Sequence, residues 1–169
     1  SLVTRPRLLL LDEPLSALDA RIRKHLREQI RAIQQELNLT TIFVTHDQEE
    51  ALTMSDRIAV MFEGEITQLA DPETLYRRPN SRKVADFIGT LNVVGSLRFR
   101  PEDAVLVPAE LADLQGTVVA SLFLGDHHRV QVRLQGGDEV ILKLPPRTSL
   151  SQGQAVCLRV DAFSESTLC

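Results

Sequence analysis

The first part of the chain combines short apolar runs with one long amphipathic segment. Leu8-Leu9-Leu10-Leu11 is a continuous apolar run, typical of a strand buried on both faces of a parallel sheet. A short buried helix is the alternative, but Pro6 and Pro14 leave too little room for one. The run therefore predicts a buried strand.

The segment 20–37 has the periodicity of a helix. Its apolar residues recur every three or four positions and form a single stripe, while charged residues, most of them basic, fill the other faces. Asp19 can cap the N-terminus with its carboxylate, and Asn38 marks the end. The members of the stripe are Ile22, Leu26, Ile30, Ile33 and Leu37.

The residues up to 88 continue this alternation. Thr41-Ile42-Phe43-Val44 is β-branched and aromatic and predicts a second strand. Asp47 and Glu50 resemble a capping pair that opens the next helix. A third strand over 58–62, a Glu63-Gly64 turn and short helices from 71 and 81 follow. The order of strand, helix and strand predicts the α/β class, with 1–91 as one domain.

The composition changes after Asn92. Short alternating runs over 117–124, 129–134, 139–144 and 155–160 predict strands, separated by glycines and prolines. They indicate a small all-β domain over 92–169, of the oligonucleotide/oligosaccharide-binding (OB) type.

Composition excludes several functions. With 169 residues, a net charge of -4 and no Trp, the chain lacks the basic footprint and the aromatic platforms of a nucleic-acid-binding protein. Cys157 and Cys169 form neither a zinc set nor a disulfide framework, which favours a reducing cytosolic setting. No apolar run approaches the roughly 20 residues of a membrane span. A membrane role would therefore need a partner.

Chemistry is concentrated where the first two strands end. Asp12 and Glu13 follow the apolar run, where one carboxylate can hold Mg²⁺, often through water, and the other can orient an attacking water. His46 closes the second strand, and its imidazole can donate to a phosphate oxygen. Taken singly, these residues also fit a turn and a surface histidine, and Ser16-Ala17-Leu18-Asp19 fits a helix start. We expect His46 on the same sheet edge as Asp12 and Glu13.

The fixed order of these segments resembles the ATPases of ABC transporters, which contain a P-loop NTPase fold. Residues 8–14 resemble their Walker B strand and catalytic Glu, residues 16–19 their D-loop, and His46 their switch histidine. Segments 47–51, 56–61 and 87–89 are similar to the same family. The resemblance covers residues 1 to about 92.

The resemblance implies a role for each matched residue. Asp12 would help to coordinate Mg²⁺, and Glu13 would polarise the water that attacks the γ-phosphate of ATP. His46 would contact that phosphate and sense its loss. Ser16 and Asp19 would communicate across an ATP-sandwiched homodimer of two such subunits.

Residues 100–103, 116–118 and 122–125 resemble the regulatory β-domain of importer ATPases. That subclass serves polyamines, iron, phosphonates, sugars or oxyanions, and works with membrane permease subunits and, indirectly, a solute-binding protein. The resemblance places the protein peripherally at the cytoplasmic face of the bacterial inner membrane. In that subclass a longer β-rich stretch separates the segment matching 87–89 from the one matching Arg100-Pro101-Glu102-Asp103. Here only residues 90–99 lie between them, so the regulatory domain is expected to be shortened.

Two family motifs are absent from the sequence. There is no G-x-x-x-x-G-K-[ST] phosphate loop and no Leu-Ser-Gly-Gly-Gln signature. The chain opens on Ser1 just before a predicted central strand, which suggests a truncated product. We therefore expect the chain alone not to hydrolyse ATP. The alternatives are a non-enzymatic module that senses a small solute or a regulatory protein, and an inert remnant of a truncated gene.

Overall fold

The computed structural model describes residues 8–161. The chain divides into two compact units, Ser1–Arg77 and Arg78–Cys169. The sequence places its domain boundary at 91/92, whereas the helix α4 (Arg82–Ile88) lies in the second unit. Within residues 8–161, no helix is long and apolar enough to cross a membrane.

The first unit begins with a strand, a long helix and a second strand. Strand β1 (Leu8–Asp12) pairs in parallel with β2 (Thr40–Val44), and helix α1 (Ala20–Leu37) connects them. The Asp19 side chain accepts hydrogen bonds from the first free amides of α1, and Asn38 ends the helix in the left-handed conformation with φ 46°. The predicted bounds and caps of this helix are confirmed.

The rest of the first unit is a short helix, a hairpin and another short helix. Helix α2 (Gln48–Met54) precedes the antiparallel strands β3 (Ile58–Phe62) and β4 (Glu65–Ala70). Glu63 and Gly64 have φ 54° and 85°, as a tight turn between paired strands requires. Helix α3 (Pro72–Arg77) follows. The small buried core of the first unit consists of Leu15, Met54, Ile58, Val60 and Leu75.

The expected burial of β1 is wrong for the described residues. Leu8 and Leu10 are 52% and 64% exposed, and Ile42 and Val44 on the same face of the two-stranded sheet are also exposed. Among residues 8–161, β1 pairs only with β2, and no described residue buries this face. We call the face formed by Leu8, Leu10, Ile42 and Val44 the open face.

Helix α1 also buries a different side from the one that its apolar stripe predicts. Ile22, Ile33 and Leu37 are exposed, while Arg27 is buried. On the packed side, arginines at every fourth position of α1 meet acidic residues around α2. These ion pairs are Arg23–Asp47, Arg27–Glu49 and Arg31–Asp56.

The second unit is built around an antiparallel sheet of five strands in the order β10-β9-β8-β11-β7. A two-stranded hairpin of β5 (Asn92–Val94) and β6 (Leu97–Phe99) precedes it. The three short strands β5 to β7 were not predicted, whereas the other four were. The sheet strands are β7 (Ala104–Leu106), β8 (Leu114–Phe123), β9 (His128–Leu134), β10 (Glu139–Leu144) and β11 (Ala155–Val160).

Alternating side chains of this sheet form one apolar core, in which Phe99, Val130 and Leu142 are fully buried. The edge strand β10 is tied to preceding segments of the chain. The Asn92 amide group donates to the Ile141 carbonyl and accepts from the Ile141 amide, both at 2.8 Å. The Lys143 amide donates to the Pro101 carbonyl, also at 2.8 Å. These bonds satisfy backbone groups that an edge strand would otherwise expose.

Candidate functional site

The structure brings Glu13 and His46 together. Nδ1 of His46 lies 3.1 Å from Oε1 of Glu13, within hydrogen-bond distance. The two residues follow the parallel strands β1 and β2, whose carboxyl ends meet at one edge of the sheet. Their side chains are 47% and 73% exposed, respectively, so both can reach a ligand from solvent.

The backbone of Glu13 is fixed from two sides. Its amide donates to the Val44 carbonyl at 2.9 Å, and its carbonyl accepts from the Ser16 hydroxyl at 3.0 Å. Glu13 has φ 42°, a left-handed conformation that costs a non-glycine residue about 1–2 kcal/mol. The surrounding hydrogen bonds hold the residue in this strained conformation, which is a common feature of functional sites.

A second set of bonds fixes the loop that carries His46. The Asp47 carboxylate accepts from the amides of Glu49 and Glu50 and thereby caps α2. Burial would raise the pKa of Asp47, but these amide hydrogen bonds and the Arg23 guanidinium outweigh it and hold the pKa below 3.8. The Asp47 amide donates to the Thr45 hydroxyl at 3.0 Å.

Glu50 does not form the capping pair expected from the sequence. Its side chain is buried, and its Oε2 accepts a hydrogen bond of 2.7 Å from the Thr45 hydroxyl. A buried carboxylate requires such partners, and the Arg23 guanidinium lies 3.8 Å from its other oxygen. Asp47 is therefore the cap of α2, while Glu50 anchors the residue before His46.

The remaining candidate residues have separate places. Asp12 ends β1 opposite Val44 and is exposed. Ser16 bonds to the Glu13 carbonyl, and Asp19 is engaged as the N-cap of α1. Within the described part of the chain, no group of three or more His, Cys, Asp and Glu residues is arranged to hold a metal ion. Hydrogen bonds therefore connect Glu13 with both His46 and Ser16, while the Asp19 carboxylate is bonded to the first free amides of α1.

Sequence reasoning missed Arg23, which contacts both loops of this site. Its guanidinium donates to the Leu18 carbonyl and to the Asp47 carboxylate, each at 3.0 Å. The four-residue repeat of Arg23, Arg27 and Arg31 was the available signal, because residues at that spacing share one helix face. The hydrophobic periodicity places these arginines on the faces outside the apolar stripe and does not predict their acidic partners.

The motif that begins at Arg100 has a structural explanation in the second unit. Arg100 is 1% exposed and donates to the carbonyls of Ala85, Gly89 and Thr90 at 2.9 to 3.1 Å. These carbonyls lie at and just after the C-terminal end of α4, where helical donors run out, and the Ala85 carbonyl also accepts from the Gly89 amide at 3.2 Å. Asp103 accepts from the Arg100 amide at 3.0 Å and completes the turn.

Two parallel strands that end in a carboxylate and a histidine, followed in sequence by a small antiparallel β-unit, are the arrangement that the resemblance to ABC ATPases implies. Residues 97–166 match the family model of the TOBE domain. The chain belongs to the family of ABC-transporter ATP-binding proteins that contain this domain.

Several curated relatives are similar over most of the chain. The spermidine/putrescine import ATP-binding protein PotA 1 of Pseudomonas aeruginosa is 39% identical over 99% of this chain and 56% of its own length. PotA of Borreliella afzelii is 40% identical over 80% of this chain and 47% of its own. The uncharacterized ABC transporter ATP-binding protein YdcT of Escherichia coli is 41% identical over 92% and 52%. The chain thus spans about half the length of these relatives.

Proposed function

We propose that this chain supplies the hydrolytic carboxylate, the switch histidine and the regulatory β-domain of the ATP-binding subunit of an ABC importer. The observation that carries the proposal is the 3.1 Å contact between Glu13 and His46 at the end of two parallel strands. The TOBE match and the relatives' names support the importer type. In this proposal, the subunit hydrolyses ATP to drive solute uptake.

Glu13 is proposed to accept a hydrogen bond from the water that attacks the γ-phosphate. Its carboxylate is half exposed and held by a fixed backbone, so it can orient that water without reorganisation. Because a carboxylate only accepts, the Glu13 contact requires a proton on Nδ1 of His46. Nε2 can then donate to a phosphate oxygen only when the imidazole is fully protonated or has left Glu13.

Asp12 fits the part of a magnesium ligand. Mg²⁺ in nucleotide sites is typically held by one or two carboxylates together with water and phosphate oxygens. Asp12 offers one exposed carboxylate next to Glu13 in the chain, at the end of β1. When bound with ATP, the ion would neutralise charge on the phosphates.

The partners follow from the same proposal. Ser16 and Asp19 lie in the loop that would face a second copy of the subunit across bound ATP, with Asp19 also serving as a helix cap. Permease subunits would bind the subunit at the cytoplasmic face of the bacterial inner membrane, and a solute-binding protein would act through them.

The relatives named for spermidine and putrescine support a polyamine-type solute. The β-domain, in a shortened form, would regulate transport.

Phosphate release by a hybrid subunit tests the proposal. The chain replaces the matching 56% of the P. aeruginosa relative, and steady ATP turnover of this hybrid is measured. Glu13→Gln and His46→Ala should each lower turnover by roughly 10²–10⁴-fold, the range for losing a positioned acid or base. The matched controls Glu28→Gln and His25→Ala change exposed residues of α1 and should leave turnover unchanged.

Three results would contradict the proposal, or the expected inactivity of the chain alone, in different ways. Full turnover by the Glu13→Gln hybrid would remove Glu13 from the reaction. Steady turnover by the chain alone, abolished by Glu13→Gln, would show that it needs no phosphate loop from elsewhere. A hybrid without activity, although folded and nucleotide-bound, would favour the inert remnant.

A ligand-sensing module is the second candidate function. A groove of about 400 Å³ lies between β8, β9 and the 152–153 loop and includes Thr117, Arg133 and Gln152. Its mixed polar and apolar lining suits a small polar solute. Melting of the chain with and without candidate solutes tests this function, and a concentration-dependent rise in Tm that Gln152→Ala removes would support it.

A further inference from the structure

The Arg23 side chain connects two loops that have separate places in the chain. Arg23 lies in the first turns of α1, and its Nη2 donates to the Leu18 carbonyl at 3.0 Å. Its Nη1 donates to Oδ2 of Asp47, also at 3.0 Å. One planar guanidinium thus binds residue 18, in the loop before α1, and residue 47, next to His46.

Both ends of this connection are rigidly attached. Leu18 is followed by Asp19, which caps α1. Asp47 caps α2, and its amide bonds to Thr45, which in turn donates to the buried Glu50. A change in the position of the Leu18 carbonyl would therefore displace the guanidinium, and with it the Asp47 carboxylate next to His46.

We propose that Arg23 is a positioning residue that couples the loop 16–19 to the His46 loop. This inference rests on the proposed function, in which the first loop faces the second subunit and His46 faces the phosphate. Formation of the dimer would then change the position of His46 through the Arg23 side chain. Arg23 itself does not contact the reacting atoms in this scheme.

A purely structural ion pair is the competing explanation, and α1 provides a matched control. Arg31 lies two turns further along the same face and pairs with Asp56. The side-chain hydrogen bonds recorded for Arg31 are to Asp56, not to the 16–19 or His46 loop. If Arg23 only attached α1 to its neighbour, loss of either arginine would have similar consequences for the two loops.

Amide resonances in the full chain, uniformly labelled with ¹⁵N, test the coupling without nucleotide. Asp47→Asn should shift the resonances of Ala17 and Leu18, although the side chain of Asp47 is hydrogen-bonded to Arg23 and to the amides of α2 rather than to these residues. The same substitution in an Arg23→Gln background should shift them several-fold less, because the connection is already lost. In an Arg31→Gln background the full shift should remain. Arg23→Lys should restore only part of it, since one ammonium cannot replace the guanidinium fork.

Urea unfolding of each variant separates coupling from stability. Equal shifts in the Arg23→Gln and parent backgrounds, or an equal reduction by Arg31→Gln, would overturn the proposal. Should Arg23→Gln fail to fold, Asp47→Asn is compared with Asp56→Asn in the parent chain. A shift at Leu18 from the first alone supports the coupling, and any other pattern overturns it. Because this test needs no ATP turnover, its failure is distinct from failure of the proposed function.

Discussion

The amide of Glu13 donates a hydrogen bond of 2.9 Å to the carbonyl of Val44, so the residue after β1 is tied to the last residue of β2. This bond places the Glu13 side chain beside His46, which follows β2 by two residues. It also holds Glu13 at φ 42°. The contact between Glu13 and His46 therefore comes with local backbone strain at Glu13.

We expect Glu13→Val to destabilise the chain more than Glu13→Gln. A β-branched residue is strongly disfavoured at positive φ, whereas Gln retains the shape of Glu. The difference in the free energy of unfolding should be about 1–2 kcal/mol. Urea unfolding followed by circular dichroism measures it, and equal stability of the two variants would contradict the left-handed conformation of residue 13.

Arg100→Met should destabilise the second unit by about 3 kcal/mol, because it removes a buried guanidinium that donates to the carbonyls of Ala85, Gly89 and Thr90. Arg129→Met, a change on the exposed side of β9, is the matched control and should change stability by less than about 0.5 kcal/mol. Hydrogen exchange of the α4 amides should rise with Arg100→Met alone. Equal effects of the two substitutions would argue against a structural role for Arg100.

The stability of the first unit should fall in acid through Asp47. Its folded pKa lies below 3.8, so near and below that pH the unfolded chain binds more protons than the folded one. This contribution is present above the unfolded pKa and is lost as pH falls through the lower folded pKa. Urea unfolding from pH ~5 to ~2 should show the loss, and Asp47→Asn should flatten that part of the curve.

Asp56 provides the comparison for this pH dependence. The hydrogen bond from Arg31 lowers the pKa of Asp56 as well, but its side chain is 82% exposed. Solvent screening weakens such a pair, so Asp56→Asn should flatten the curve less than Asp47→Asn. The opposite order would mean that the Asp47 network contributes little to folding.

The open face should make the chain associate in solution. Contiguous exposed apolar residues favour self-association and dye binding, all the more on a two-stranded sheet whose outer edges have no partner strand among residues 8–161. Leu10→Lys combined with Ile42→Lys should reduce the fluorescence of a bound apolar dye and increase the monomer fraction in light scattering. Leu111→Lys, at an exposed leucine of the second unit, should change neither. A monomeric parent chain that binds no dye would contradict this prediction.

The sequence by itself determined the elements whose signals are local. The bounds of α1 follow from the Asp19 cap, the 3.6-residue periodicity and Asn38, all within a single segment of chain. The meeting of Glu13 and His46 also follows from sequence, because parallel strands place their carboxyl ends on one edge. The family resemblance added the chemistry that these residues would perform.

Tertiary structure decided which surfaces are used. Periodicity shows that a helix has an apolar stripe, but not that a partner covers it, and in the described residues the arginine side of α1 is packed. Arg23 and Asp47 are 24 residues apart, and Asn92 and Ile141 are 49 apart. Pairings at such separations depend on how the chain closes its loops, which local propensity does not encode. The partners of Glu50, Arg23 and Arg100 therefore became visible only in the folded chain.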